Sequence, residues 1–94
     1  MSRAELLAQL AALRPWLAGQ GVTRLRLFGS YARDEAGPDS DVDLIADFER
    51  PLGLRQFTLQ DEIATRLGVA VELVTEAALA SDVRFTALRD ALDA

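Results

Sequence analysis

The stretch from Gly29 to Asp43, which reads GSYARDEAGPDSDVD, constrains the fold of this chain more than any other segment. It separates two apolar runs, Val22 to Phe28 and Val42 to Ala46. Short apolar runs bounded by Gly, Pro and Asp are typical of β-strands, because those residues break regular structure. The sequence therefore predicts two neighbouring strands, with a Gly-Ser pair ending the first and an Asp-x-Asp triplet opening the second.

Asp41 and Asp43 project from one face of the second predicted strand, because strand side chains alternate with a period of two. Their Cα atoms then lie roughly 6.5–7 Å apart. Two carboxylates at that spacing can share a hard divalent cation, and magnesium is the common one in phosphate chemistry. The Gly29–Ser30 turn offers backbone N–H groups and a hydroxyl to phosphates. The stretch therefore indicates a metal–triphosphate site.

The segments on either side of this stretch complete an alternating pattern of helices and strands. Ser2 and Glu5 fit a capping box, which predicts a first helix ending near Gly19 and Gly21 that Pro15 kinks or splits. The apolar stripe of this helix consists of Leu6, Leu7, Leu10, Leu13 and Leu17. Together with the elements that follow, it predicts an α/β or α+β domain.

The remaining elements follow from caps and periodicity. Ser30 is predicted to cap a short helix near Tyr31, and Val42–Phe48 is the second strand, with Ile45 facing away from the core. The later elements are a helix over Leu54–Leu67 ended by Gly68, a strand over Val69–Val74, a turn or short helix from Thr75 to Leu79, and a last helix capped by Ser81 with Phe85, Leu88 and Leu92 as its apolar stripe.

The Gly-Ser pair, the spacer and the Asp-x-Asp triplet resemble the signature of nucleotidyltransferases of the DNA polymerase β superfamily. The chain is most similar to the minimal nucleotidyltransferase (MNT) branch, the antitoxin half of HEPN/MNT toxin–antitoxin pairs. The flanking pattern extends this resemblance over nearly all of the chain. It implies a polymerase-β-like α/β (α+β) fold, in which a small mixed sheet carries helices on one face and the metal site on the other.

The resemblance also implies a third carboxylate on the next strand, where family members carry aspartate in a Val-Asp-Leu-Val context. The matching residue is Glu72. Alone, a glutamate in a short apolar strand reads more simply as solvated, but its outward parity with Asp41 and Asp43 favours a site. Its extra methylene moves the oxygens by about 1.5 Å, and positioning errors near 1 Å can cost on the order of 10²-fold in rate.

The resemblance implies a two-metal mechanism of in-line displacement, with two Mg²⁺ ions or Mn²⁺. Asp41 and Asp43 bind the metal that holds the triphosphate, and both bind a second ion together with Glu72, which takes the acceptor proton. Gly29 and Ser30 steady the β- and γ-phosphates.

Two residues of the turn leave alternatives open. Arg33 either reaches a phosphate of the nucleotide or is simply solvated. Asp34 stands where family sequences often carry glycine. It either weakens triphosphate binding by its charge or points to solvent.

Composition narrows the chemistry further. The chain has no histidine or cysteine, so a metal site must be built from oxygen ligands, which favours magnesium, manganese or calcium. All ten basic residues are arginine, which excludes Schiff-base and P-loop lysines. The net charge of −5 argues against nucleic acid as a direct partner. No apolar run approaches the roughly 20 residues of a membrane span, and the N-terminus reads as a helix rather than a signal peptide, so we expect a cytoplasmic protein.

By resemblance, the donor is ATP, and the modified group is a tyrosine hydroxyl of a HEPN ribonuclease toxin. Residues 1–94 are expected to form one domain, too small to carry its own acceptor-binding domain. Two alternatives remain open. One is an antitoxin that blocks its toxin by binding, with activity weakened by Glu72 and Asp34. The other is a regulatory module that binds nucleotide without transfer.

Overall fold

Four α-helices and four strands alternate along the chain, and the computed structural model describes all 94 residues. Their bounds are α1 (Arg3–Gly19), β1 (Val22–Phe28), α2 (Gly29–Ala32), β2 (Val42–Phe48), α3 (Arg55–Leu67), β3 (Val71–Val74), α4 (Ser81–Asp90) and β4 (Leu92–Asp93), with a 3₁₀ turn at Glu76–Ala78. None of the helices combines the length and the apolar character required to cross a bilayer.

The four strands form one mixed sheet in the order β3-β2-β1-β4. β1 runs antiparallel to both β2 and β4, whereas β2 and β3 are parallel. This arrangement confirms the predicted α/β class and its small mixed sheet. In the register, Phe28 lies opposite Asp43, and Asp43 lies opposite Glu72. The end of β1 and the starts of β2 and β3 therefore meet in one row across the sheet.

The core forms where the apolar stripes of α1 and α3 meet the sheet, as their periodicity predicts. Its fully buried side chains include Leu6 and Leu10 of α1, Leu27 of β1, Leu44 of β2, and Leu59 and Ile63 of α3. Each such side chain contributes roughly 1.5–3 kcal/mol by leaving water. α3 ends at Gly68, which adopts the left-handed conformation with φ +74° and donates its N–H to the Ala64 carbonyl. This is the predicted glycine stop.

α1 begins as the sequence predicts. The Ser2 hydroxyl accepts a hydrogen bond of 3.1 Å from the Glu5 N–H. Pro15, however, does not split the helix, which continues to Gly19. Proline removes one hydrogen bond, but Leu17 on the turn beyond it is only 3% exposed, so its packing in the core holds that last turn in place.

The C-terminal stripe was predicted wrongly. Phe85 is 72% exposed, and Ala87 is the buried residue of α4. Leu92 lies in β4, where it pairs with Leu27 of β1. Helical spacing of apolar residues therefore misled here, because pairing with a distant strand ends the helix at Asp90.

Three smaller predictions also need correction. Ser30 is not the cap of α2, because the helix starts at Gly29 and its N-cap is Phe28, which makes no side-chain cap bond. Ser81 is likewise inside α4 rather than at its cap, which is Ala80. β3 starts at Val71, two residues later than predicted. Each shift lies at an element end, where backbone partners rather than residue type decide the boundary.

Candidate active site

The row at the end of the sheet brings two of the predicted carboxylates side by side. Asp43 and Glu72 occupy paired positions on the parallel strands β2 and β3, so their side chains project from the same face. Asp41 precedes β2 by one residue and is exposed, whereas Asp43 is half-buried. The structure thus places the predicted metal-binding residues at one edge of the sheet face.

Gly29 lies directly against Asp43. It follows the last residue of β1 and has a φ of +72°, a backbone conformation that residues with a Cβ rarely adopt. A Cβ at this position would overlap Oδ2 of Asp43 and lie 3.1 Å from its Cγ. Glycine is therefore required here on two counts, the backbone conformation and the close approach of the carboxylate.

Hydrogen bonds close the turn that Gly29 begins. The Gly29 carbonyl accepts from the Arg33 N–H at 3.1 Å, and the Ser30 carbonyl accepts from the Glu35 N–H at 2.8 Å. Arg3 of α1 donates through Nη1 to the Ala32 carbonyl at 3.1 Å. This last contact spans 29 residues and has no local signature, so the sequence did not reveal it.

The electrostatics of the row centre on Asp43. Burial raises the pKa of its carboxyl to about 6, and the charges of Glu72 and Asp41 add to the rise, whereas Arg33 opposes it. Negative charge is thus crowded at this point of the sheet. A bound cation would relieve this crowding.

The raised pKa predicts that, in chelator, the contribution of Asp43 to the stability of the metal-free protein falls as the pH rises. Between the ordinary aspartate value of 3.8 and the folded value of about 6, the native state holds more protons than the unfolded chain. The contribution of Asp43 to the free energy of unfolding is therefore fully present below pH 3.8 and is lost as the pH rises through about 6. We expect urea unfolding to show that Asp43→Asn gains clearly more stability relative to the parent at pH 7.5 than at pH 4.5. An equal difference at both pH values would contradict this.

The acidic groups fit a metal that arrives with a nucleotide. All the donors are carboxylate oxygens, the ligands that magnesium and manganese prefer. No three acidic side chains converge into a ready-made metal-binding group. Magnesium is usually held by one or two carboxylates together with phosphate oxygens, so a full protein cage is not required.

Arg33 lies beside these carboxylates but has acidic partners of its own. Its Nε donates to Oε2 of Glu35 at 3.1 Å, and its Nη1 lies 3.6 Å from Oδ2 of Asp90. Arg89 also pairs with Asp90, at 3.3 Å. Arg33 would have to exchange these partners to contact a phosphate, and its nucleotide-binding role stays a prediction.

Asp34 adopts the left-handed conformation, with φ +59°. Aspartate is among the residues that tolerate this conformation. Glycine adopts this conformation freely, which accounts for the glycine that the family resemblance implies at this position, and Asp34 itself is exposed. Of the two alternatives for this residue, the structure favours a side chain that points to solvent.

A small cleft of about 130 Å³ adjoins the turn. Phe28, Gly29 and Arg33 line one side, and Val83, Thr86 and Ala87 of α4 line the other. The cleft contains the glycine that touches Asp43, so it lies next to the carboxylate row. α4 is therefore part of the surroundings of the site, which the sequence did not indicate.

A mixed sheet with a Gly-Ser turn lying against a carboxylate row is the arrangement of a nucleotidyltransferase domain. The chain belongs to the nucleotidyltransferase domain family, whose model matches residues 7–93.

Individual relatives narrow the comparison. The chain is 42% identical over 71 residues to the protein adenylyltransferase MntA of Thermococcus cleftensis, which covers 74% of this chain and 72% of the relative. A solved structure described as a minimal nucleotidyltransferase is 40% identical and superposes with a TM-score of 0.80, covering 98% of this chain and 95% of the other. These similarities confirm the resemblance to minimal nucleotidyltransferases.

A more distant structure shares the fold. It is a toxin–antitoxin complex with AMP-PNP, whose matched chain is 18% identical, with a TM-score of 0.69 over 99% of this chain and 72% of that one.

Proposed function

We propose that this protein is a metal-dependent nucleotidyltransferase that transfers AMP from ATP to a hydroxyl group of a partner protein. The carrying observation is the row in which Gly29 lies against Asp43 and Asp43 pairs with Glu72. The similarity to a protein adenylyltransferase supports protein as the acceptor class. The proposal includes a HEPN ribonuclease toxin as the partner, one of its tyrosines as the acceptor, an antitoxin role and a cytoplasmic location.

Each residue of the site has a separate role in the proposed in-line displacement. Asp41, Asp43 and Glu72 would hold two Mg²⁺ ions or Mn²⁺, which would neutralise the triphosphate and lower the pKa of the acceptor hydroxyl. The N–H groups of Gly29 and Ser30 orient the β- and γ-phosphates. The acceptor oxygen bonds to the α-phosphorus while the bond to pyrophosphate breaks. Glu72 accepts the hydroxyl proton, and no histidine is required.

Charge and exposure support a protein acceptor. The chain has a net charge of −5, with no basic stripe to neutralise a run of phosphates. A small-molecule acceptor would find few walls around an exposed Glu72 and Asp41. A folded partner can complete the cleft, and a basic one would be favoured by charge complementarity.

Co-expression with the protein encoded beside it tests the function. With ATP and magnesium, we expect the partner to gain one or more additions of about 329 Da, the mass of an AMP residue in phosphoryl-transfer chemistry. Mass spectrometry of the pair gives the readout, and Asp41→Ala/Asp43→Ala should abolish the additions. Labelled RNA extended by the isolated domain, with the partner unmodified, would point to a nucleic-acid nucleotidyltransferase instead.

Glu72→Gln separates proton transfer from nucleotide binding. Because Glu72 lies on the outer strand and is exposed, we expect the variant to fold and to bind ATP nearly as well as the parent. Transfer should fall by about 10²–10⁴-fold, the usual effect of losing a proton acceptor. Single-turnover transfer and ATP titration measure the two quantities. Unchanged transfer would mean that Glu72 is a solvated residue of the strand with no role in the reaction.

The glutamate at position 72, in place of the usual aspartate, favours one rival function. This rival is an antitoxin that neutralises its partner by binding to it and transfers little AMP. Full neutralisation by Asp41→Ala/Asp43→Ala would support this rival. Tight ATP binding without pyrophosphate release, measured with the partner present, would instead indicate a regulatory nucleotide-binding module.

A further inference from the structure

Two glutamine side chains bond to the outer edge of β3 at Leu73. This strand is the edge of the sheet beyond β2, so the backbone groups of alternate residues point away from the sheet. Gln60 of α3 accepts a hydrogen bond from the Leu73 N–H through Oε1 at 2.9 Å. Gln56 donates from Nε2 to the Leu73 carbonyl at 3.0 Å. One turn of α3 therefore supplies both partners that a further strand would otherwise provide.

These contacts act on the two peptide units that follow Glu72, one on each side of Leu73. The N–H bonded by Gln60 belongs to the amide that joins Glu72 to Leu73. On its inner side, the strand pairs in parallel with β2, with Glu72 opposite Asp43. β3 has only four residues, and a short edge strand bonded on one side frays easily. The glutamines restrain it on the other side.

We propose that Gln56 and Gln60 are positioning residues that hold Glu72 opposite Asp43 for AMP transfer. The proposal rests on the proposed function, because it concerns the same reaction. The glutamines face the outer edge of β3, whereas Asp43 and the Gly29 turn lie on the inner side, toward β1. Their loss should therefore lower kcat and leave the KM for ATP nearly unchanged.

The two glutamines use different atoms of their side-chain amides, Nε2 in Gln56 and Oε1 in Gln60, which provides a matched pair of variants. Gln60 accepts, so Gln60→Glu keeps an acceptor for the Leu73 N–H. Gln56 donates, so Gln56→Glu removes the donor and turns an anion toward a carbonyl. We expect kcat to stay within about 3-fold of the parent in Gln60→Glu and to fall by about 10- to 100-fold in Gln56→Glu and Gln60→Ala, since small displacements of a reacting group have large effects.

A double variant shows whether the effect passes through Glu72. In the Glu72→Gln background, Gln60→Ala should reduce transfer by less than about 3-fold, because residues that act through one group are not additive. Thr58→Ala, an exposed position on α3, is the control and should match the parent. Equal losses of kcat from Gln60→Ala in both backgrounds, or equal effects of Gln56→Glu and Gln60→Glu, would overturn the proposal.

Hydrogen exchange separates this inference from the proposed function. Exchange of the Leu73 amide, followed by NMR without nucleotide, should be faster in Gln60→Ala than in the parent while the core amides of β2 stay protected. Unchanged Leu73 exchange refutes the restraint itself. A parent that transfers no AMP to its partner refutes the proposed function and with it any positioning role, whatever the exchange rates.

Discussion

Asp43→Asn is expected to reduce AMP transfer by about 10²–10³-fold, the range for removing one group that stabilises charge in a transition state. Asp43 is the centre of the site, since Gly29 lies against it and Glu72 pairs with it across the sheet. Asparagine keeps the shape of the side chain but removes one anionic oxygen donor. Binding of magnesium–ATP, measured by calorimetry, should weaken strongly as well.

Loss of folding cannot explain this expected result. At neutral pH, Asp43 is ionised against burial and against the charges of Glu72 and Asp41, so the neutral asparagine should leave the free energy of unfolding unchanged or raise it. Asp39→Asn provides the control, because Asp39 is an exposed loop residue nearby in the sequence. If Asp43→Asn binds magnesium–ATP as tightly as the parent does, the assignment of the metal site is wrong.

Gly29→Ala should nearly abolish AMP transfer. Gly68→Ala is the control that shows how much of this loss comes from backbone strain alone. Both glycines have almost the same positive φ, +72° and +74°, so alanine costs roughly 1–2 kcal/mol of backbone strain at either position. A Cβ at Gly68 meets nothing within 4 Å, whereas one at Gly29 overlaps the Asp43 carboxylate. Displacing Asp43 by about 1 Å should cost about 10²-fold or more in transfer.

The comparison of the two variants separates strain from overlap. Thermal unfolding should show Gly68→Ala destabilised, with transfer per folded molecule close to that of the parent. Gly29→Ala should lose transfer far beyond its loss of folded protein. Equal activity per folded molecule in both variants would mean that the contact between Gly29 and Asp43 has no catalytic importance.

Local patterns predicted the parts of the fold that decide the site. Period-two alternation in β2 and β3 put Asp43 and Glu72 on matching faces, and the register then brought them together. The Gly-Ser pair marked the end of β1 because its glycine has a backbone that other residues rarely adopt. Each of these features depends on neighbours within a few residues, which is what a sequence displays.

The features that were missed depend on distant partners. Arg26 alternates outward in β1 and yet is only 9% exposed, because Glu76 lies 3.2 Å and Asp47 3.7 Å from its Nη2. Ile45 faces away from the main core, as predicted, but is fully buried. Phe85 and Leu92 have helical spacing, but pairing with β1 determined where that segment ends. Nothing within a few residues of these positions reports such contacts.

The glutamine-bonded edge of β3 at Leu73 limits how the proposed partner can be recognised. Many proteins capture an extended peptide by adding it to a sheet as one more strand, which requires unpaired backbone groups along an edge. Beside Glu72, those of Leu73 are already bonded to Gln56 and Gln60. The other edge is the two-residue β4, separated from β3 by both central strands. At Leu73, next to Glu72, the proposed partner would therefore be recognised through the shape and side chains of a folded surface rather than through the main chain of a bound peptide.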